Sequence, residues 1–384
     1  MILDRRRVAV ILCGLCSFLD LWATQSLLPM LARELNATPV AVSFTVSMPP
    51  LAVALVAPWT GVIADVLGRK RVIVAAMFGL VVPTVLVGFS TTLGAIVFWR
   101  FCQGLFVPPI FAGTVSYVAD EFPVEEATGA TGLYTAAGVF GGFLSRFLTA
   151  LLAEHFGWQG AFLGTALLTL ALAIGVLTLM PAERHFTRAA SLGGSAIQML
   201  QHFRDKRLVA TWSIGFCVLF TFITIFTFVA FLLAAPPFEL STAALGSLFV
   251  TYLAGVVTTP LAGRGVAWLG RRNLVLCAIL FWASALLLTL VPNLVAIIAG
   301  LALAAAFGFM CQACSTSYVA LTARQARSSA VGLYVTFYYL GGSVGGIVAG
   351  GAWTLGGWIG CVVSALTVLV LVASLVWTFW VDQT

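Results

Sequence analysis

The chain is expected to fold as an all-α polytopic membrane protein, with twelve transmembrane helices in two pseudo-symmetric six-helix bundles. Three observations carry that expectation. Of its 384 residues 61% are hydrophobic and only 8% charged, with a mean hydropathy of +1.09, whereas a soluble domain carries about 25% charged residues. Apolar runs of the length that crosses a hydrocarbon core, about 20 residues, follow one another from end to end with short polar breaks. The chain also repeats itself at an offset of about 200 residues.

In order, the spans of the first half are expected near 8–32, 42–64, 71–90, 94–118, 128–152 and 160–180. Those of the second half are expected near 208–234, 242–263, 272–291, 294–320, 328–354 and 358–380. Basic residues mark the turns. Arg5, Arg6 and Arg7 precede the first span, and Arg69, Lys70 and Arg71 separate the second from the third. The middle loop carries Arg184, Arg188, Arg204, Lys206 and Arg207, and the later turns carry Arg264, Arg271, Arg272, Arg324 and Arg327. Because lysine and arginine collect on the cytoplasmic side, these turns and both termini are expected there. The net charge of +6 then reflects topology, and a nucleic-acid partner is not expected.

The repeat divides the chain into a first bundle at 1–180, a linker at 181–207 and a second bundle at 208–384. Gly132-Leu133-Tyr134, Gly141-Gly142 and Gly157-Trp158 recur as Gly332-Leu333-Tyr334, Gly341-Gly342 and Gly357-Trp358. Pro58, Gly61, Gly68 and Arg69 recur as Pro260, Gly263, Gly270 and Arg271. Within the linker, Ile197, Met199, Leu200 and Phe203 suggest a short interfacial helix. The apolar run after Arg5–Arg7 is too long for a signal peptide and lacks a small-residue cleavage site, so it reads as a retained helix. Eight cysteines fall within spans. The pairs Cys13/Cys16 and Cys311/Cys314 have metal-site spacing but no histidine or acid beside them, and they read as packing residues with no metal or cofactor.

Three motifs carry a resemblance. The turn Gly61-Val-Ile-Ala-Asp65-Val-Leu-Gly68-Arg69-Lys70 resembles the signature between the second and third helices of the major facilitator superfamily. The resemblance implies a conformational latch, in which Asp65 pairs with Arg69 or with a basic group on a neighbouring helix. In the second copy Ala267 stands in place of the acid, so such a latch would be one-sided. Arg100-Phe-Cys-Gln103-Gly104 resembles the signature associated in that superfamily with proton coupling, and Gly138 to Arg146 resembles the antiporter signature region without its usual Gly-Pro pair. Together with Phe156-Gly-Trp158 and the stretch from Gly332 to Gly346, these residues resemble the arabinose-efflux-permease-like branch of bacterial drug/proton antiporters.

Three charges lie deep inside spans. At about 1.5 Å per residue, Asp20 sits roughly 12 Å from the outer face of a core about 30 Å thick. Arg100 and Arg146 lie about 9–10 Å deep from the same side. Their counterparts in the repeat are neutral: Phe220, Leu301 and Gly346. An asymmetric proton-coupling cluster of Asp20, Arg100 and Arg146 is therefore expected, with a static ion pair as the alternative. Burial favours a neutral carboxyl and a nearby arginine favours a charged one, and that opposition makes a proton switch possible.

Trp22, Gln25 and Gln103 from the first half, and Phe220, Phe226, Gln312, Tyr338 and Tyr339 from the second, are expected to line a substrate cavity, with core packing as the alternative for each phenylalanine. The resulting expectation is a secondary transporter of small organic solutes working by alternating access in a bacterial inner membrane. It would act as a monomer within the lipid bilayer and couple export to protons. Import of a small metabolite, with an anion as one option, by symport or facilitation is the alternative. An enzyme is disfavoured by the lack of an HExxH motif, a GxSxG turn or paired intramembrane acids.

Overall fold

The computed structural model describes residues 4–183, 202–322 and 327–380, with the side chains of Gly61, Val62, Ala64, Asp65, Val124, Ala320 and 327–329 outside that description. Every regular element among them is helical. The chain forms two compact units. One comprises Met1–Thr38, Met48–Ser191 and Ser241–Ser247; the other comprises Pro39–Ser47, Leu192–Leu240 and Leu248–Thr384. The interfacial helix expected around Ile197, Met199 and Leu200 lies outside the described residues.

The elements are α1 (Arg5–Leu19), α2 (Leu28–Glu34), α3 (Pro39–Leu67), α4 (Arg69–Gly88), α5 (Leu93–Glu121) and α6 (Val124–Leu179). They continue with α7 (Lys206–Ala234), α8 (Thr242–Ser247), a 3₁₀ turn (Leu248–Tyr252), α9 (Leu253–Thr258) and α10 (Leu261–Leu269). The chain closes with α11 (Arg271–Leu288), α12 (Leu294–Thr322) and α13 (Arg327–Phe379). Helix α6 reverses at Gly157, whose φ of 71° is open to glycine and costly for a residue with a Cβ. Helix α13 breaks at Gly356 and Gly357. Each therefore supplies two spans, and the twelve expected spans are present among the described residues.

Two spans differ from a simple rod. The segment expected as one helix over 8–32 breaks after Leu19, runs through turns at residues 20–27, and resumes at α2. Pro29 explains the resumption point in part, because it offers no N–H to the carbonyl of Gln25 and its ring crowds the preceding turn. Within the break the bonds span three residues: Gln25 N–H donates to Trp22 O at 3.0 Å and Leu27 N–H to Thr24 O at 3.0 Å. In the repeat the matching helix, α7, is continuous. There it is the next span that is broken, into α8, the 3₁₀ turn, α9 and α10.

The first unit packs around a buried cluster that includes Cys13, Cys16, Ile73, Met77, Ile110, Tyr117 and Tyr134. Its helices approach closely where glycine allows it. A Cβ at Gly141 would sit 2.6 Å from Leu15 O, and one at Gly341 in the second unit would overlap Phe216 O. The same packing solution thus serves both copies. Six of the cysteines, including both spaced pairs, are buried.

Candidate functional site

The break in the first span exposes main-chain carbonyls inside a region that has no water to satisfy them, and side chains from other helices take them. Arg100, on α5, donates from one guanidinium nitrogen to Asp20 O (2.6 Å) and Gln103 Oε1 (2.6 Å), and from the other to Leu21 O (2.5 Å). Thr149 Oγ1, on α6, donates to Ala23 O at 2.9 Å. Arg100, Asp20, Gln103 and Gln25 are all 0% exposed.

The Asp20 carboxyl has a different set of neighbours. Thr84 Oγ1 of α4 lies 2.7 Å from Oδ1, and Thr169 Oγ1 of α6 lies 2.8 Å from Oδ2. Gln103 Nε2 donates to Thr84 Oγ1 at 2.8 Å and lies 3.5 Å from Oδ1. Because an arginine can only donate, its bond to Gln103 Oε1 fixes the amide with its NH₂ toward Thr84 and Asp20. Four helices therefore converge on one acid, and its carboxyl contacts are with neutral groups.

Arg146 attaches farther along the same broken stretch. Its Nε donates to Gln25 Oε1 at 2.7 Å, one terminal nitrogen donates to Gly142 O at 2.5 Å, and the guanidinium lies 5.2 Å from the centre of the Trp22 ring, within cation–π range. The three charges named from sequence thus all engage residues 20–25, each through its own partners. Thr84 and Thr169, which hold the acid, were not singled out from sequence. Their signal was depth: both are polar residues well inside their spans.

The basic turn is organised by two acids, Asp120 on α5 and Glu183 just beyond the end of α6. Gly68 begins α4 with φ 93°, and Gly270 begins α11 with φ 74°, so the two copies share a left-handed glycine at the helix start. Arg69 Nε pairs with Asp120 Oδ2 at 2.8 Å. The Lys70 N–H donates to Glu183 Oε1, and Lys70 Nζ donates to Met180 O at 2.5 Å. The side chains of Gly61 and Asp65, the remaining members of the expected latch, lie outside the described residues.

In the second unit Phe226 stacks on Phe222 (5.8 Å between centroids) and meets Tyr252 edge-on at 4.5 Å. Phe220 stacks on Phe216 at 6.3 Å. Both phenylalanines are thus built into aromatic packing. Tyr338 stacks on Tyr334 at 6.1 Å and meets Tyr339 edge-on at 5.5 Å. Gln312 Oε1 and Tyr334 Oη are buried without a hydrogen-bond partner among the described residues. The first copy differs: there Tyr134 Oη lies 3.0 Å from Ser17 Oγ, and Cys217 stands at the place of Ser17 in the repeat.

Among the described residues no group of histidine, cysteine and acidic side chains could hold a metal ion. The major facilitator superfamily profile matches residues 10–267. The inner membrane transport protein YnfM of Escherichia coli K12 is 30% identical over 97% of this chain and 89% of its own length. An uncharacterized transporter of Buchnera aphidicola from Schizaphis graminum is 28% identical over 95% of this chain and 88% of its own. Among solved structures, the nucleoside transporter NupG superposes with a TM-score of 0.81 at 16% identity, covering 98% of this chain and all of that one. A bacterial homologue of the lysosomal transporter Spinster gives 0.78 at 16% identity, over 97% and 96% of the two chains. Family profile, relatives and fold agree: this chain belongs to the major facilitator superfamily and is a polytopic membrane transporter, not an enzyme.

Proposed function

We propose that this transporter exports a small organic solute in exchange for protons, with Asp20 as the proton carrier, in a bacterial inner membrane with both termini cytoplasmic. The observation that carries the reading is the setting of Asp20. It is the acid buried mid-span among the described residues, and its carboxyl is touched by two hydroxyls and an amide. Arg100 meanwhile directs donors to the main chain. A carboxyl so placed can change charge without stripping the arginine of its acceptors.

The arginine is in this reading a fixed strut rather than the partner released on protonation. The change in charge at Asp20 passes along residues 20–25 to Arg146 through Gln25 and Trp22. Gln312 Oε1 and Tyr334 Oη, with the rings of Tyr338 and Tyr339 beside them, favour a solute with a flat apolar face and hydrogen-bonding edges, because buried polar atoms without partners are costly unless a ligand meets them. Arg69, Lys70, Gly68, Gly61 and Asp65 serve as the conformational latch, and the protein works as a monomer.

The test begins with a stabilisation screen of purified protein against neutral, cationic and anionic aromatic compounds, followed by flux of the hits in proteoliposomes under imposed pH gradients. An inward proton gradient should drive solute out, and Asp20→Asn should leave only gradient-independent flux. Solute accumulating in the same direction as protons would establish the import reading instead. A pH profile of transport unchanged in Asp20→Asn would end the assignment of the carrier.

A further inference from the structure

The two threonines beside Asp20 each have a second place to put their single hydrogen. Thr169 Oγ1 lies 2.8 Å from Asp20 Oδ2 and 3.0 Å from Thr165 O, one turn back on its own helix. Thr84 Oγ1 lies 2.7 Å from Asp20 Oδ1 and 2.8 Å from Leu80 O. A hydroxyl donates one hydrogen and accepts through two lone pairs. It can therefore donate to an ionised carboxylate, or turn its hydrogen to the carbonyl and accept from a protonated one.

The two sites are not equivalent. Gln103 Nε2, an amide nitrogen that can only donate, lies 3.5 Å from Oδ1 and gives a hydrogen bond to Thr84 at 2.8 Å, so a proton on Oδ1 would face a donor, whereas Oδ2 meets Thr169 alone among the described residues. We propose that Thr169 is the two-way partner of Asp20 Oδ2, the oxygen that takes the proton, while Thr84 is the fixed donor to Oδ1. In the loading step a proton from water bonds to Oδ2 and the carboxylate becomes neutral. The Thr169 hydrogen swings from Oδ2 to Thr165 O, its oxygen accepts the new O–H, and no bond between heavy atoms forms or breaks. Release runs the same step backward. The proton thus comes and goes without leaving any buried polar atom unmatched, which in a low-dielectric site is where most of the cost would fall.

The charged and titratable groups facing the acid are Arg100 from α5 and the Cys16 thiol one turn back on α1; α4 and α6 reach it through Thr84 and Thr169. Leu369, itself buried, stands at the place of Thr169 in the repeat, so the second half has neither the acid nor its partner. The relevance of this device to transport rests on the carrier reading of Asp20; the device itself can be tested without flux.

The experiment is pH-dependent infrared difference spectroscopy of purified protein in liposomes, with the Asp20 carboxyl band identified by its loss in Asp20→Asn. A hydrogen bond to a charged acceptor is stronger than one to a neutral group, so Thr169→Val should raise the midpoint of that band by about one pH unit, about tenfold in proton affinity. Thr169→Ser should restore the wild-type midpoint. Thr84→Val, a second and independent variant, should also raise it, with Thr84→Ser restoring it. An unchanged midpoint in Thr169→Val overturns the proposal, as does a Thr169→Ser midpoint displaced as far as that of valine, or the absence of any titrating band lost in Asp20→Asn. If Asp20→Asn transports with the wild-type pH profile, the carrier reading falls, while the infrared midpoints still decide the role of Thr169.

Discussion

Replacing Arg100 and replacing Asp20 should have very different effects on stability. Arg100→Met removes the donors to Asp20 O, Leu21 O and Gln103 Oε1. Asp20 O keeps the Ala23 N–H at 3.4 Å, while Leu21 O and Gln103 Oε1 lose the Arg100 donor; at about 1–3 kcal/mol for each buried acceptor left unmatched, the penalty is about 2–6 kcal/mol. Asp20→Asn keeps both main-chain carbonyls for Arg100, and its amide can still bond with Thr84 and Thr169, so its cost should stay near ~1 kcal/mol. Arg100→Lys should fall between, because one ammonium cannot reproduce the planar fork. Unfolding of the detergent-purified proteins, followed by tryptophan fluorescence, reads this order directly: wild type and Asp20→Asn close together, Arg100→Lys below, Arg100→Met lowest. If Arg100 were instead the charge partner of a buried ion pair, removing either member would strand the other at about 3–5 kcal/mol. Equal destabilisation by Asp20→Asn and Arg100→Met would therefore refute the strut.

Two further substitutions test packing and the second half. Tyr134→Phe should cost about 1 kcal/mol by breaking the bond to Ser17, whereas Tyr334→Phe should be neutral or stabilising because its hydroxyl has no partner among the described residues. If Tyr334→Phe keeps its melting temperature but weakens binding of a screened solute, that hydroxyl faces the substrate; a lowered melting temperature would count against an unpartnered hydroxyl. Gly104→Ala places a Cβ against Pro49 O and 2.8 Å from the Ala52 Cβ, and main chain cannot give way as a side chain can. It should reduce the yield of monodisperse protein on size exclusion, and a wild-type profile would show that α3 and α5 have slack there.

Much of this was legible in the chain itself. Span number and the repeat follow from apolar run length and from glycine pairs recurring at the same offset, because both are imposed by the bilayer and by helix packing. The three buried charges were legible for the same reason: nothing else in the spans is so costly to place there. What the residues alone did not reveal was the break at 20–27, since the stretch contains neither glycine nor proline and only Pro29 beyond it hints at a disruption. Arg100 in consequence read as a partner for a carboxylate when two of its acceptors are carbonyls. The roles of Thr84 and Thr169 depend on which helices meet, and one threonine in a span looks much like another. Phe220 and Phe226 illustrate the converse, for an aromatic residue opposite a charged site in the repeat is as well suited to stacking on its neighbour as to lining a cavity.

The stitching of the first span by an arginine from α5 bears on how the protein is made. As residues 5–34 leave the ribosome and enter lipid, the carbonyls of Asp20 and Leu21 lack the Arg100 donor, because α5 has not yet been synthesised, and Asp20 O has only the Ala23 N–H at 3.4 Å. The segment must either wait as a regular helix and rearrange later, or remain shielded by the insertion machinery until about 70 more residues have emerged. In either case the native kink belongs to the assembled bundle rather than to the nascent segment, and it cannot take its final form before α5 has been inserted.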